Sequence, residues 1–350
     1  MINAEPFVSV NTGLGSVEEV AEEVEYINGA QNTPMGQLRA ENGHPQPYRC
    51  TWWAVGNEMY GDWQLGHMPL AQYVEKHNRV AAAMWKVDPA IKLIGVGAVG
   101  EWSETMLQVC SDYMNLISEH IYCQEMPNVA AHVQQLAEQI KFKADAHRKY
   151  RRQITPLQGK DIRIAMDEWN YWYGDYIYGE LGVQYFHKDA LGVAIGLHEY
   201  FRNSDIYYMA NYAQTVNVIG CIKTTRTDAA FDATGLPLKL YRQEFGAIPV
   251  QVSGDVGNLD VSAALTDDGK ALTVAAVNAT SQNGSLNLNI VGGAIGRQVT
   301  KWLIVHPDPQ AHNVPGKPAV LTIERKKETL KDSTLNVPAM GIVLYRIPLK

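Results

Sequence analysis

The sequence predicts an α/β protein in which strands and helices alternate over about the first 240 residues, followed by an antiparallel β region. Three observations carry this. Short apolar runs of strand length recur between amphipathic stretches of helical period. Beyond about residue 240 the apolar residues fall instead into period-two runs separated by turn residues. The chain has 350 residues, 46% hydrophobic and 19% charged, enough apolar surface for one large and one small domain and too much for a disordered chain. The expected domains are 1–240 and 241–350.

Taken in order, Pro6 to Val10 reads as a short strand. Ser16 is placed to cap a helix whose Glu18 and Glu19 fall in the first turn and whose Val20, Ala21 and Val24 share a face. The polar stretch Asn28 to Gln46, rich in Gly, Pro and Asn, reads as a loop into a strand from Thr51 to Val55. A helix follows from about Pro69 to Val87, with Pro69 suited to its first turn. Lys92 to Val96 is a strand, Ser103 to Cys110 is helical, Tyr113 to His120 contains a strand, and Val129 to Arg152 is a long helix. Ile162 to Met166 is a strand ending at Asp167 and Glu168, Gln184 to Phe201 a helix, and Ile206 to Tyr212 a strand running into Gln214 and Asn217. Such alternation predicts a parallel sheet or barrel with function at the carboxyl ends of its strands. The later runs, Leu259 to Leu265, Leu272 to Val277, Leu286 to Ile290 and Gly341 to Ile347, are separated by turns at Asp267 to Gly269 and Gln282 to Gly284. They predict an antiparallel β-sandwich with no catalytic cluster.

Charge and cysteines exclude several classes. The formal net charge is −7, and the one basic cluster is the short run Glu324 to Glu328, so nucleic acid and anionic membrane are poor partners and a neutral ligand fits better. Cys50, Cys110, Cys123 and Cys221 have neither CxxC pairing nor nearby histidine spacing and are expected to be free thiols, with no metal site and no cofactor. The N-terminal residues show no basic start followed by a long apolar stretch, and no apolar run is long enough to span a bilayer. As written, the chain reads as soluble and cytoplasmic, without an export signal.

The chemistry concentrates in two segments. Glu58 follows Thr51-Trp-Trp-Ala-Val-Gly-Asn, and Glu168 follows Ile162-Arg-Ile-Ala-Met-Asp, each a glutamate just beyond a strand-like run. Hydrolysing an acetal at neutral pH needs one carboxyl to protonate the leaving oxygen and another to attack the anomeric carbon or activate a water. Trp52, Trp53, Tyr60 and Trp63 crowd the first segment and Trp169, Tyr171, Trp172 and Tyr173 the second, offering flat apolar faces for sugar rings, while Asn57 and Asn170 can bind hydroxyls. Gly95-Val-Gly97-Ala-Val-Gly100 formally matches a dinucleotide fingerprint, but it opens no first strand of a sheet, and the residues after Gly100 suit a phosphate-cradling helix poorly. None of the ten histidines has HExxH spacing; His67, His77 and His198 fall where helix surfaces or ends are expected, and His120 is singled out because it ends a strand on the same rim as the glutamates. Asn278-Ala-Thr280 and Asn283-Gly-Ser285, though they match a glycosylation pattern, read as turns.

Trp53-Ala-Val-Gly-Asn-Glu-Met-Tyr-Gly-Asp-Trp-Gln-Leu-Gly-His67 and Met166-Asp-Glu-Trp-Asn-Tyr-Trp-Tyr173 resemble the two active-site signatures of glycoside hydrolase family 51, chiefly α-L-arabinofuranosidases. Similarity extends through Glu5 to Asn11, Leu38 to His44, His120 to Tyr122, Ala213 to Ile219 and the C-terminal region. The resemblance implies a TIM-type (β/α)8 barrel whose first two βα units are absent from this sequence, followed by the β-sandwich. It implies Glu58 as acid/base and Glu168 as nucleophile of a retaining, double-displacement mechanism on plant cell-wall polysaccharide. It further implies that Asn57 holds the sugar 2-hydroxyl, that His120 and Tyr122 lie near the nucleophile, that Trp172 and Gln214 line the furanose pocket, and that Trp63 stands at its entrance. An acid/base of this kind needs its pKa raised in the free enzyme. The family also implies homo-oligomers, in keeping with the unpaired edges that missing barrel units leave. Two alternatives stay open: an endo-β-1,4-glucanase or xylanase on the same scaffold, and a catalytically poor carbohydrate-binding remnant.

Overall fold

The computed structural model describes residues 4–291 and 293–350. The chain divides into two compact units, the first comprising residues 4–120, 143–167 and 205–210 and the second residues 121–142, 168–204 and 211–350.

A six-stranded sheet follows chain order: β1 (Phe7–Ser9), β2 (Trp52–Ala54), β3 (Lys92–Gly95), β4 (Leu116–Cys123), β5 (Arg163–Tyr171) and β6 (Tyr207–Tyr212). The first four pair in parallel, with Phe7 opposite Trp52, Trp52 opposite Lys92, and Ile94 opposite Leu116. Helices α1 (Val17–Asn28), α2 (Pro34–Glu41), α3 (Leu70–Val87), α4 (Glu101–Val109), α5 (Val129–Gln153) and α6 (His187–Arg202) supply the crossovers that parallel pairing requires.

In the first unit, side-chain alternation sends the strands to two apolar layers. Ala54, Ile94, Leu116 and Ala165 meet Phe7, Trp52 and Met209 on one face. On the other face Trp53 and Leu93 pack with Val20, Val24, Val80 and Met84 of α1 and α3, and Ile117 packs with Met106, Leu107 and Tyr150 of α4 and α5. Strands buried on both faces explain the nearly continuous apolar runs in the sequence. Ser16 caps α1 as expected, its hydroxyl accepting from the Glu19 amide at 3.1 Å while the Glu19 carboxylate accepts from the Ser16 amide at 2.7 Å. The region Asn28 to Gln46 is not a plain loop. Thr33 accepts from the Gly36 amide, Pro34 starts α2, and buried Arg39 donates to the carbonyls of Tyr26, His44 and Pro45, so side-chain capping and a backbone-satisfying guanidinium hold a helix together among polar residues.

The glycines of the nucleotide-like motif serve packing. A Cβ on Gly97 would lie 2.2 Å from the Ser118 carbonyl oxygen, and Gly100, at φ +117°, precedes α4 in a conformation that L residues rarely adopt. His77 and His198, expected at helix surfaces or ends, are instead fully buried.

In the second unit α6 is buried almost throughout, His198 bonding Asp260 at 2.5 Å and the Tyr241 hydroxyl at 2.6 Å. A small hairpin of β7 (Ile222–Thr224) and β8 (Ala229–Phe231) leads to α7 (Gly235–Glu244). The chain then forms β9 (Ile248–Val250), β10 (Asp260–Leu265), β11 (Ala271–Asn278), β12 (Gly284–Asn287), β13 (Gln298–Val305), β14 (Glu324–Thr329), β15 (Thr334–Val337) and β16 (Gly341–Pro348). These make an antiparallel sheet ordered β14-β13-β16-β11-β10-β9 and a separate β12-β15 pair, which share one apolar cluster including Val261, Val274, Leu286, Leu335, Val343 and Tyr345. Asp267 to Gly269 does turn the β10-β11 hairpin, but Gln282 to Gly284 leads from β11 into the other sheet. The charged run Glu324 to Glu328 lies in β14, the exposed edge strand, where charges discourage further pairing. Among the described residues no helix is long and apolar enough to cross a membrane.

Candidate active site

Glu58 owes its position to the end of β2. The Val55 amide donates to the Ile94 carbonyl at 2.9 Å and the Tyr73 hydroxyl to the Val55 carbonyl at 2.5 Å, which fixes the strand end. The chain then turns at Gly56, φ +99°, where a Cβ would lie 2.1 Å from Thr12 Oγ1. Glu58 itself has φ +45°, a left-handed conformation that is uncommon for a residue with a side chain and that the surrounding contacts must hold.

The Glu58 carboxylate is ringed by donors. His120 Nδ1 lies 2.8 Å from Oε1, and the Tyr60 hydroxyl 3.4 Å from the same atom. Trp63 Nε1 donates to Oε2 at 2.6 Å and Gln64 Nε2 at 3.3 Å. Burial pushes the Glu58 pKa up, but the bonds from His120, Trp63 and Gln64 outweigh it and hold the carboxyl at about 2. The structure thus departs from the raised pKa expected of an acid in the free enzyme. Asp167 Oδ1 lies 3.0 Å from the other ring nitrogen of His120, and burial raises the Asp167 pKa against the opposing pull of that histidine.

His120 and Tyr122 sit two residues apart on β4, both half-exposed while Glu119, Ile121 and Cys123 are buried, as strand alternation demands. In the second unit the Tyr122 hydroxyl donates to Glu168 Oε2 at 2.5 Å and its ring meets Trp172 edge-on at 5.3 Å. Glu168 does not lie beyond its strand as expected: β5 runs on to Tyr171, and the Trp172 amide still donates to the Cys123 carbonyl at 2.9 Å. Trp172 Nε1 is buried without a hydrogen-bond partner among the described residues, Gln214 is exposed, and Asn57 is half-buried.

Several residues expected to touch sugar are interior instead. Trp53, Trp169, Tyr171 and Tyr173 are buried. Asn170, also fully buried, donates to the Tyr185 hydroxyl and to the carbonyls of Ala213 and Ile219 while accepting from the Tyr212 hydroxyl, so it rivets the end of β5 to the segment after β6. Tyr60 and Gln64 bond Glu58 and Asp167 meets His120, contacts that residue type alone does not mark although all three lie inside the two signature segments. The cysteines are free thiols, three buried and Cys221 half-buried. An apolar cavity of about 450 Å³ against the C-terminal sheet, lined by Val261, Leu272 and Leu286 among others, contains none of the expected site residues.

Residues 8–152 match the α-L-arabinofuranosidase 1 domain, and residues 167–340 the α-L-arabinofuranosidase C-terminal domain. α-L-Arabinofuranosidase C of Emericella nidulans is 30% identical over 93% of this chain and 71% of its own length. The crystal structure of an α-L-arabinofuranosidase from Thermotoga maritima in complex with arabinose superposes with a TM-score of 0.92 at 27% identity, covering 99% of this chain and 76% of that one. The thermostable family 51 α-L-arabinofuranosidase of Thermotoga petrophila gives 0.89 at 28%, with the same coverage. With both signatures and nearly the whole chain matched, the protein belongs to the α-L-arabinofuranosidases of glycoside hydrolase family 51, a family of retaining glycoside hydrolases.

Proposed function

We propose that the chain releases α-L-arabinofuranosyl groups from plant cell-wall polysaccharide by double displacement, with Glu168 as nucleophile and Glu58 as acid/base. One observation carries the assignment. His120 bonds Glu58 and touches Asp167, the residue before Glu168, while Tyr122, on the same face of the same strand, bonds Glu168. Each glutamate is thereby oriented by its own neighbour on β4. Glu168 attacks the anomeric carbon as Glu58 gives its proton to the departing oxygen. Glu58 then takes a proton from the water that releases arabinose. In this reading Trp63 and Trp172 offer aromatic faces to the sugars, and Asn57 and Gln214 bind hydroxyls.

The same reading takes β1 to β6 as part of a (β/α)8 barrel, residues 1–240 as the catalytic portion, and 241–350 as a β-sandwich. It also includes homo-oligomers, as the family resemblance implies. The test is release of nitrophenol from 4-nitrophenyl α-L-arabinofuranoside, with the anomer of the first-formed arabinose read by NMR. Retention with arabinose as the sole product from arabinoxylan supports the proposal; oligosaccharide products point to endo action, and binding without turnover to a carbohydrate-binding remnant.

Tyr122→Phe removes one preorganised donor to Glu168 and leaves the ring in place. It is expected to lower kcat by about 100-fold with little change in KM, measured on the same substrate.

A further inference from the structure

We propose that Trp63 is a substrate-displaced gate on Glu58. Its indole holds Oε2, and binding of the leaving-group sugar draws the ring away, so that Oε2 can carry the proton only with substrate in place. The inference rests on the acid/base assignment of Glu58 made above.

The chemistry of the donors forces the choice. At Oε1 the partners are His120 and the Tyr60 hydroxyl, and either can turn from donor to acceptor if that oxygen is protonated. At Oε2 the near partner is the Trp63 indole N–H at 2.6 Å, which can only donate. A proton on Oε2 would point at another proton, so it and the indole contact exclude each other. The Gln64 amide, at 3.3 Å, can rotate its oxygen into the vacated place. The groups that set the charge of Glu58 are therefore His120 from β4, backed by Asp167 from β5 with Glu168 next in sequence, and Tyr60, Trp63 and Gln64 from its own loop.

Trp63 is built to move. It is 67% exposed, so little packing holds it, and its ring leans edge-on against Tyr60 with centroids 6.1 Å apart. Its fold-back depends on Gly61, where a Cβ would lie 2.4 Å from the indole ring. The exposed indole face is the kind of surface on which a sugar stacks.

The test compares pH profiles of kcat/KM and kcat on an α-1,5-linked arabino-oligosaccharide, whose sugar leaving group needs protonation, for wild type, Trp63→Phe and Gly61→Ala. Trp63→Phe keeps an aromatic face and loses the N–H; Gly61→Ala keeps the indole and pushes it off the carboxylate. Both are expected to raise the alkaline limb of kcat/KM, which reports the free enzyme, by roughly one pH unit, while the corresponding limb of kcat stays in place. Lower activity with unmoved limbs in the two variants means that Trp63 only packs or stacks, and overturns the gate. If the alkaline limb survives in Glu58→Gln, the acid/base assignment fails instead, whatever the Trp63 variants do.

Discussion

On the roles proposed for the two glutamates, Glu168→Ala is expected to lower kcat by about 10⁴-fold or more, on activated aryl arabinofuranosides and on the natural polymer alike, because Glu168 is the group proposed to form the glycosyl–enzyme bond. Glu58→Ala should behave differently. With 4-nitrophenolate departing, protonation contributes little, and the first step survives; release of the sugar then slows because no base activates water. On arabinoxylan, where the leaving group is a sugar alkoxide, the first step fails as well. Azide separates the roles. Added to Glu58→Ala it attacks the glycosyl–enzyme from the side that water uses and gives a glycosyl azide of retained configuration; added to Glu168→Ala it replaces the nucleophile and gives the inverted azide. Product NMR reads the outcome. Equal losses in both variants for every leaving group, with the same azide product or none, would overturn the division of labour between Glu58 and Glu168.

What the sequence made legible is what local spelling controls. The Ser16–Glu19 capping box and the Asp267 to Gly269 hairpin each depend on a few consecutive residues, and each is present. The family was legible because both signatures are long. Less legible was everything decided by partners distant in the chain. Trp53 and Trp169 flank the glutamates in sequence just as Trp63 and Trp172 do, yet they face the interior, since alternation along a strand settles direction and composition does not. Asn170 carries the chemistry to bind a sugar and spends it on Tyr185, Tyr212, Ala213 and Ile219. The reach of β5 through Glu168 to Tyr171 was hidden because Asp and Glu weaken a strand reading, although pairing to neighbours overrides that local preference. The depressed pKa of Glu58 reverses the expected direction for a similar reason: its donors include His120, 62 residues away.

Glu119 is the most consequential residue that sequence reading passed over, and its loss is expected to be the most destabilising change in the first unit. Adjacent to His120 on β4, it is fully buried on the opposite side of the strand. Ser103 and His147 bond Oε1, both at 2.8 Å, and Lys143 and the Val99 amide bond Oε2 at 2.9 and 3.1 Å. One carboxylate therefore ties β4 to α4, to α5 and to the loop after β3. Burial raises its pKa, but Lys143 and His147 more than offset this and hold it well below the usual carboxylate range. Glu119→Ala strands Lys143 and His147 without their acceptor, and breaking a buried pair from one side costs about 3–5 kcal/mol, read as a fall in the urea midpoint at neutral pH. Glu119→Gln keeps the shape and loses the charge, and tests the sign. A carboxyl whose folded pKa lies below its unfolded value contributes stability in full above the unfolded value, near 4.5, and loses it as pH falls toward the folded one. Wild type should thus lose stability more steeply than Glu119→Gln as pH drops below about 4.5. Parallel curves for the two proteins across that window would show that the Glu119 network contributes through packing alone, and a Glu119→Ala variant as stable as wild type would show that it contributes nothing.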